Sequence, residues 1–295
     1  MQPADARARI RFRNILLCAD FSALTDLALA YAADLARHFG AKLYALHVRN
    51  PDDYVIVFPE GRSIPPGFTV EQAREKLNSL LGPLFDIDRE VLVEEGELLP
   101  TMGAVIEKNA IDLVVVGTRG RTGLAKLVLG SWAEKIFRRV PCPVLTVGPH
   151  SAHPRTDTIR QILFATDFTP ESAAAAPYAV SLAQEYQAAL TLLHVIVDPA
   201  TYDLVQPEEL RASSERLLHE LVPSGAELWS DIHFEVRQGQ AAETIVNVAE
   251  EKKANLIVLG ARRLSGLPGA ATHLPMPTAH KVVSGAACPV LTVRT

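Results

Sequence analysis

The chain repeats itself at a spacing of 147 residues. Residues 15–48 begin with ILLCADF and end with LHV, residues 162–195 begin with ILFATDF and end with LHV, and 14 of these 34 positions are identical. Each repeat also ends in CPVLTV, at 142–147 and 288–293. Because this period is far longer than the 20–50 residues of a solenoid unit, each repeat is a whole domain. The sequence predicts domains over 1–148 and 159–295, joined by a linker at about 148–158 that is rich in Pro, Gly, Ser and His.

Composition excludes several classes of protein. The 29 Lys and Arg residues against 34 Asp and Glu give a net charge of -5, which argues against a dedicated binder of nucleic acid or anionic membrane. No apolar run approaches the roughly 20 residues of a spanning helix, and no secretory signal follows the Arg-rich start. Three Cys in 295 residues do not form a disulfide framework. We therefore expect a cytoplasmic protein.

Apolar runs alternate with helical periodicity in both repeats. In the first repeat the pattern predicts a helix after Ser22 that ends at Gly40, and further helices over 70–81, 102–109 and 131–139. In the second it predicts middle helices over 208–221 and 242–252. Alternation of this kind is typical of an α/β fold, with a parallel sheet covered by helices on both faces. The predicted strands of the first repeat are 15–19, 42–48, 90–94, 113–116 and 144–147.

A glycine-rich loop follows the fourth strand of the first repeat. Gly117, Gly120, Gly130 and Ser131 are spaced as G-x2-G-x9-G-S, and Arg119 and Arg121 lie on either side of Gly120. Glycines permit close backbone approach, and a helix N-terminus after them offers N–H groups to an anion. The loop therefore suits phosphate, although it is neither a Walker loop nor a dinucleotide fingerprint. A structural alternative stays open, because the glycines suit plain turns and Ser131 with Glu134 fits a capping box.

The segment from Val114 to Val147 resembles the nucleotide-binding segment of the universal stress protein family. Its ATP-binding members carry G-x2-G-x9-G-(S/T), and ILLCADFS and LHV resemble that family's first two strands. The resemblance covers both repeats. It implies two tandem five-stranded parallel sheets with strand order 3-2-1-4-5, a Rossmann-like fold related to the adenine nucleotide alpha hydrolases.

The resemblance also implies roles for individual residues. Asp20 would hydrogen-bond the ribose or adenine side of an adenine nucleotide, and the backbone of Val48 would contact the adenine. The remaining residues would surround ribose and phosphates: Gly117, Arg119, Gly120, Arg121, Gly130, Ser131 and Trp132. The implied ligand is ATP, AMP or ADP, with or without a bound Mg²⁺ ion.

The second repeat departs from this pattern. Arg263 stands where Gly120 stands in the first repeat, and Met276-Pro277 replaces Gly130-Ser131. Asp167 and Val195 are kept at the positions of Asp20 and Val48. Proline lacks the N–H that a phosphate needs. We therefore expect the second domain to bind nucleotide weakly or not at all.

Several residues also have a purely structural interpretation. Asp20 and Asp167 could cap helices, although Ser22 and Thr169 are better placed for this. His47 and His194 lie in strands and are expected to be satisfied core histidines. Cys18, Cys142 and Cys288 have no assignable base, and the pair His150 and His153 lacks further metal ligands.

Three classes of function follow. The first is a stress-response protein that binds an adenine nucleotide in its first domain and acts as a sensor or regulator toward an unidentified protein partner. The second is a weak ATPase or nucleotide-processing enzyme, and a nucleotide-free scaffold is a third option. The missing catalytic residues favour the first. The repeated CPVLTV strand further predicts an intramolecular pseudo-dimer of the two domains, and a homodimer of chains stays open.

Overall fold

The computed structural model describes residues 10–50, 56–57, 63–64, 68–118, 136, 139–151, 159–197, 206–224, 230–261 and 278–294. These residues form two compact units. The first unit holds the described residues from 12 to 144, and the second holds residues 10–11 and those from 145 onwards.

The first unit contains a parallel sheet that is flanked by helices. Val114 N–H donates to the carbonyl of Pro143 at 3.0 Å, one residue before the strand that begins at Val144. The strands of the first repeat are β1 Asn14–Cys18, β2 Lys42–Arg49, β3 Ile56–Val57, β4 Ser63–Ile64, β5 Arg89–Glu95, β6 Leu113–Gly117 and β7 Val144–Val147. The parallel order is β5-β2-β1-β6, with β3 and β4 as a separate antiparallel hairpin.

The second unit repeats this arrangement. Its strands are β8 Gln161–Thr166, β9 Ala189–Ile196, β10 Ile232–Gln238, β11 Leu256–Gly260 and β12 Val290–Val293. They pair in parallel in the order β10-β9-β8-β11-β12. This is the predicted order 3-2-1-4-5, so the predicted α/β fold is confirmed.

The helices of the first repeat largely match the predicted ranges, but the third begins at Leu98, four residues before the predicted range 102–109. They are α1 Ala23–Phe39, α2 Val70–Leu81 and α3 Leu98–Lys108. Gly40 ends α1 in the left-handed conformation, with φ 63°. Thr69 and Gln72 form a reciprocal capping box at the start of α2, with bonds of 3.2 and 3.0 Å. The predicted helix over 131–139 lies outside the described residues, apart from positions 136 and 139.

The first helix of the second repeat is interrupted. Pro177 stands where α1 has Ala30, and a proline in a helix interior removes one hydrogen bond and crowds the preceding turn. The helix therefore stops at Ala173 and restarts at Ala176. The helices are α4 Pro170–Ala173, α5 Ala176–Tyr186, α6 Pro207–Glu220, α7 Ala241–Glu251 and α8 Thr278–Gly285.

The core of each unit follows the central strands. Leu113, Val114 and Val115 of β6 are completely buried, which confirms that this strand is covered on both faces. Among the described residues, no helix is long and apolar enough to cross a membrane.

Candidate functional site

Asp20, Val48 and Gly117 lie at the carboxyl ends of three neighbouring parallel strands. Asp20 follows β1, Val48 is near the end of β2, and Gly117 ends β6, in the spatial order β2-β1-β6. Open α/β sheets bind ligands at this edge. The structure therefore brings together the three predicted site residues that it describes.

The Asp20 carboxylate is partly engaged by the start of α1. Its Oδ1 accepts from the Ser22 N–H at 2.9 Å and from Thr25 Oγ1 at 2.8 Å. Ser22 occupies the N-cap position but makes no side-chain capping bond, so the prediction that its hydroxyl caps α1 was wrong. Asp20 instead bonds the N–H of the N-cap residue itself and the Thr25 hydroxyl in the first turn. Within the described part of the chain, nothing donates to Asp20 Oδ2, and the residue is half-buried.

The second repeat distributes these bonds differently. Thr169 accepts from Ser172 N–H at 3.3 Å and caps α4 as predicted. Asp167 Oδ1 accepts from the Thr169 N–H at 3.1 Å and from Thr169 Oγ1 at 2.6 Å. Asp167 is exposed, whereas Asp20 is half-buried. The two aspartates are equivalent in sequence but differ in environment.

Both strand histidines are structural. The Nδ1 atoms of His47 and His194 lie 2.8 and 2.9 Å from the carbonyl oxygens of Ala19 and Thr166. A carbonyl only accepts, so each Nδ1 carries the proton and donates. Burial lowers the pKa of His194, and the bond to Thr166 opposes that shift. The structural interpretation of the two histidines is confirmed.

Phe21 and Phe168 have an unusual backbone that sequence reasoning missed. Their φ angles are 59° and 61°, in the left-handed region that bulky residues rarely adopt. Their rings pack on His47 and His194, with centroids 4.6 and 4.4 Å apart. Such a backbone costs about 1–3 kcal/mol and persists only where packing holds it. The Asp-Phe pair that occurs in both repeats, at 20–21 and 167–168, was the sequence feature that could have marked these two positions.

Gly117 and Gly260 are glycines for a packing reason. A Cβ on Gly117 would lie 2.9 Å from Leu24 Cβ and 3.1 Å from Leu24 O, in the first turn of α1. A Cβ on Gly260 would lie only 2.3 Å from Glu171 O and from Ser172 Cα. The carboxyl end of β6 therefore packs against α1, and the carboxyl end of β11 packs against α4. This explains why the second repeat keeps Gly260 although the rest of its loop has diverged.

A buried hydroxyl at the first site lacks a partner. Thr118 directly follows Gly117, is 5% exposed, and its Oγ1 makes no hydrogen bond within the described residues. An unsatisfied buried hydroxyl costs about 1–3 kcal/mol. Thr118 was not among the predicted site residues. Thr118 Oγ1 and Asp20 Oδ2 are therefore two polar atoms at this edge of the sheet that make no hydrogen bond within the described residues.

The rest of the predicted phosphate loop cannot be placed. It lies outside the described residues, as do the second-repeat substitutions that replace it. These positions are Arg119, Gly120, Arg121, Gly130, Ser131, Trp132, Arg263, Met276 and Pro277.

The cysteines are poor nucleophiles. Burial raises the pKa of Cys142 and of Cys288 to about 12. Burial also raises the pKa of Cys18 far above its usual range, and its Sγ lies 4.0 Å from Met102 Sδ. Thiols in such surroundings stay protonated and behave as small apolar side chains. No group of three or more His, Cys, Asp or Glu that could hold a metal occurs in the part of the chain that is described.

The fold and the strand-end residues define a tandem α/β protein with doubly wound parallel sheets. A sequence model of the universal stress protein family matches residues 11–148 and again 158–294. The chain belongs to this family and carries two of its domains in tandem.

Relatives share this organisation over their whole length. A universal stress protein of Mycolicibacterium smegmatis is 26% identical over 95% of this chain and 97% of its own. One of Synechocystis is 27% identical over 96% of this chain and all of its own. The crystal structure of a universal stress protein from Archaeoglobus fulgidus is similar with a TM-score of 0.71 at 21% identity, covering 96% of this chain and 97% of that one. That similarity supports the fold.

Proposed function

We propose that the first repeat binds an adenine nucleotide, as ATP, ADP or AMP, and that the protein acts in stress response as a nucleotide-dependent sensor or regulator. The observation that carries this proposal is the open Oδ2 of Asp20 at the strand edge from which the G-x2-G-x9-G-S loop starts. A carboxylate that accepts from ribose hydroxyls and a glycine loop that receives phosphates together suit a nucleotide.

The two open polar atoms fit opposite groups of such a ligand. Asp20 Oδ2 accepts hydrogen bonds, and the hydroxyl of Thr118 either donates or accepts. Arg119 and Arg121 of the loop supply positive charge for phosphates. The phosphates themselves offer the oxygen ligands that Mg²⁺ prefers, so the ion would arrive with the nucleotide.

A nucleotide-processing enzyme is the alternative. Asp20 already accepts two hydrogen bonds from the start of α1, which does not favour it as a general base at the first site. The two classes are separated by incubating the chain with ATP and measuring ADP and AMP over time. A binding protein returns the ATP unchanged.

The arrangement of the two domains is a second part of the proposal. Both repeats end in CPVLTV, and two universal stress protein domains in one chain fit an intramolecular pseudo-dimer. We propose that the two domains form such a pseudo-dimer within one chain. A protein partner that responds to the bound nucleotide would then bind one chain rather than a homodimer of chains.

Asp20→Asn tests the nucleotide site without breaking the helix start. The Asn oxygen still accepts from Ser22 and Thr25, so the fold should survive, while the ligand loses a charged acceptor. Hydrogen bonds to charged groups contribute roughly 1.5–3 kcal/mol. We therefore expect ATP affinity to fall by about 10- to 100-fold in a calorimetric titration.

Asp167→Asn is the matched control for this experiment. Asp167 occupies the same position in the second repeat, where the phosphate loop has diverged. We expect ATP affinity within about twofold of the unsubstituted chain. Equal losses in the two variants, or no loss in Asp20→Asn, would remove Asp20 from the nucleotide site.

A further inference from the structure

The aromatic ring that follows Asp20 contacts three other side chains. The centroid of the Phe21 ring lies 4.6 Å from that of His47 and 5.1 Å from that of Phe68. The Nζ atom of Lys76 lies 4.9 Å from the centroid of Phe21 and 4.4 Å from that of Phe68. An ammonium group at such a distance is attracted by the π electrons of the ring. We name Phe68 and Lys76 together the α2 clamp.

The α2 clamp is held by the start of its helix. Phe68 directly precedes Thr69, the N-cap residue whose side chain forms the capping box of α2. Lys76 follows about two turns later, and helical side chains lean towards the N-terminus of their helix. The long lysine side chain therefore brings its ammonium group back to the Phe68 ring. The start of α2 and the position of the lysine together set both contacts to Phe21.

The backbone of Phe21 links the α2 clamp to Asp20. Phe21 has φ 59°, and this left-handed residue turns the chain from Asp20 into α1. The turn brings the Ser22 N–H to Asp20 Oδ1 at 2.9 Å. If Phe21 relaxed to an ordinary negative φ, the next N–H would rotate and the carboxylate would lose this bond. The α2 clamp opposes that relaxation because it holds the Phe21 ring in place.

The second repeat has leucine where the first has Lys76. Two pairs of buried positions align α2 with α6: Ala73 with Ser214, and Leu77 with Leu218. In this alignment Leu217 takes the place of Lys76. An aliphatic side chain supplies no cation for the ring of Phe168. This difference accompanies the one between the two aspartates, of which Asp20 is half-buried and Asp167 exposed.

Lys76 lies at the surface rather than in the core. It is exposed, and it lines an open cleft of about 540 Å³ between the first turn of α1 and α2. Removing its ammonium group therefore leaves no void in the core, and substitutions at such positions change stability little. The lysine can be changed without unfolding the first unit.

We propose that Lys76 is a positioning residue for the nucleotide site, and that it acts through the Phe21 ring on Asp20. This role rests on the proposed function, in which the Asp20 carboxylate accepts from the ribose. A carboxylate that is already held in the binding geometry loses less conformational freedom when the ligand arrives, and so binds it more tightly. The ammonium group itself lies against the two rings and need not touch the nucleotide.

Lys76→Met removes the ammonium group and keeps an unbranched side chain that also favours a helix. We expect ATP affinity of the full chain to fall about three- to tenfold in a calorimetric titration. Lys76→Arg keeps a cation over the rings and should bind ATP within about twofold of the unsubstituted chain. Leu217→Met is the matched control in the second repeat and should leave ATP affinity unchanged. No loss in Lys76→Met, or equal losses in Lys76→Met and Lys76→Arg, would overturn the proposal.

A double-mutant cycle distinguishes an action through Asp20 from a direct contact with the ligand. In the Asp20→Asn background, Lys76→Met should change ATP affinity by less than about twofold, because the charged acceptor is already gone. In the unsubstituted background, AMP should lose as much affinity as ATP, since both carry the same ribose. Additive losses, or a loss confined to ATP, would show that Lys76 contacts the phosphates and would overturn the positioning role.

Amide hydrogen exchange tests the link from Lys76 to Asp20 without any ligand. The Ser22 N–H donates to Asp20 Oδ1, so its exchange, measured by NMR, reports whether that bond is kept. We expect Ser22 to exchange about three- to tenfold faster in Lys76→Met and at the original rate in Lys76→Arg. Unchanged exchange in Lys76→Met would overturn the proposal even if ATP binds. If the unsubstituted chain fails to bind ATP, the proposed function fails, whereas faster exchange at Ser22 would still support the link to Asp20.

Discussion

Gly260→Ala is expected to unfold the second unit or to destabilise it by about 3 kcal/mol or more. The added methyl group would lie 2.3 Å from Glu171 O and Ser172 Cα, and both are backbone atoms that cannot rotate away. Relief would require β11 to separate from α4. Urea unfolding followed by circular dichroism gives the stability loss. Amide hydrogen exchange should show faster exchange across Leu256–Gly260 than across β6.

Two alanine substitutions provide graded controls. Gly117→Ala would place a methyl group 2.9 Å from Leu24 Cβ and 3.1 Å from Leu24 O, which is a less severe overlap than at Gly260, and we expect a smaller loss of about 1–2 kcal/mol. Gly103→Ala lies in α3 with nothing within 4 Å of the added carbon, and it should stabilise the chain by about 0.5–1 kcal/mol. Similar stability of the Gly260 and Gly103 variants would refute the packing explanation for the strand-end glycines.

Gly130→Val is expected to abolish ATP binding while the fold survives. The family resemblance assigns Gly130, Ser131 and the Trp132 amide to the phosphates, and a branched side chain there would exclude them. Two charge-assisted hydrogen bonds at roughly 1.5–3 kcal/mol each correspond to a loss of at least about 100-fold. The affinity is measured by calorimetric titration with ATP.

Met276→Val is the matched control for Gly130→Val. Met276 aligns with Gly130 in the second repeat, where a side chain is already present. We expect ATP affinity to be unchanged in this variant. ATP binding that survives Gly130→Val, or that is lost in Met276→Val, would contradict the assignment of the phosphates to the first repeat.

Local sequence signals predicted most of the fold. The glycine at position 40, the Gly82-Pro83 pair after α2 and the β-branched run of β6 each act within a few residues, so the pattern alone locates them. The hairpin of β3 and β4 was missed because each strand is only two residues long. The break between α4 and α5 was also missed, although Pro177 was its visible cause.

The site was less predictable, because its details depend on contacts between distant elements. The sequence identified Asp20 but could not show that its Oδ1 is held by Ser22 and Thr25, which leaves Oδ2 for a ligand. Nor could it show that Gly117 is required by Leu24, since those residues are far apart in the chain.

We expect one chain to bind one ATP, through its first repeat. The most direct test is the stoichiometry of ATP in a calorimetric titration of the full chain, with the protein concentration fixed by amino-acid analysis. The expected result is one ATP per chain, reduced to none in Gly130→Val. Two ATP molecules per chain would show that the second repeat retains a phosphate site, and no ATP at all would contradict the proposed function.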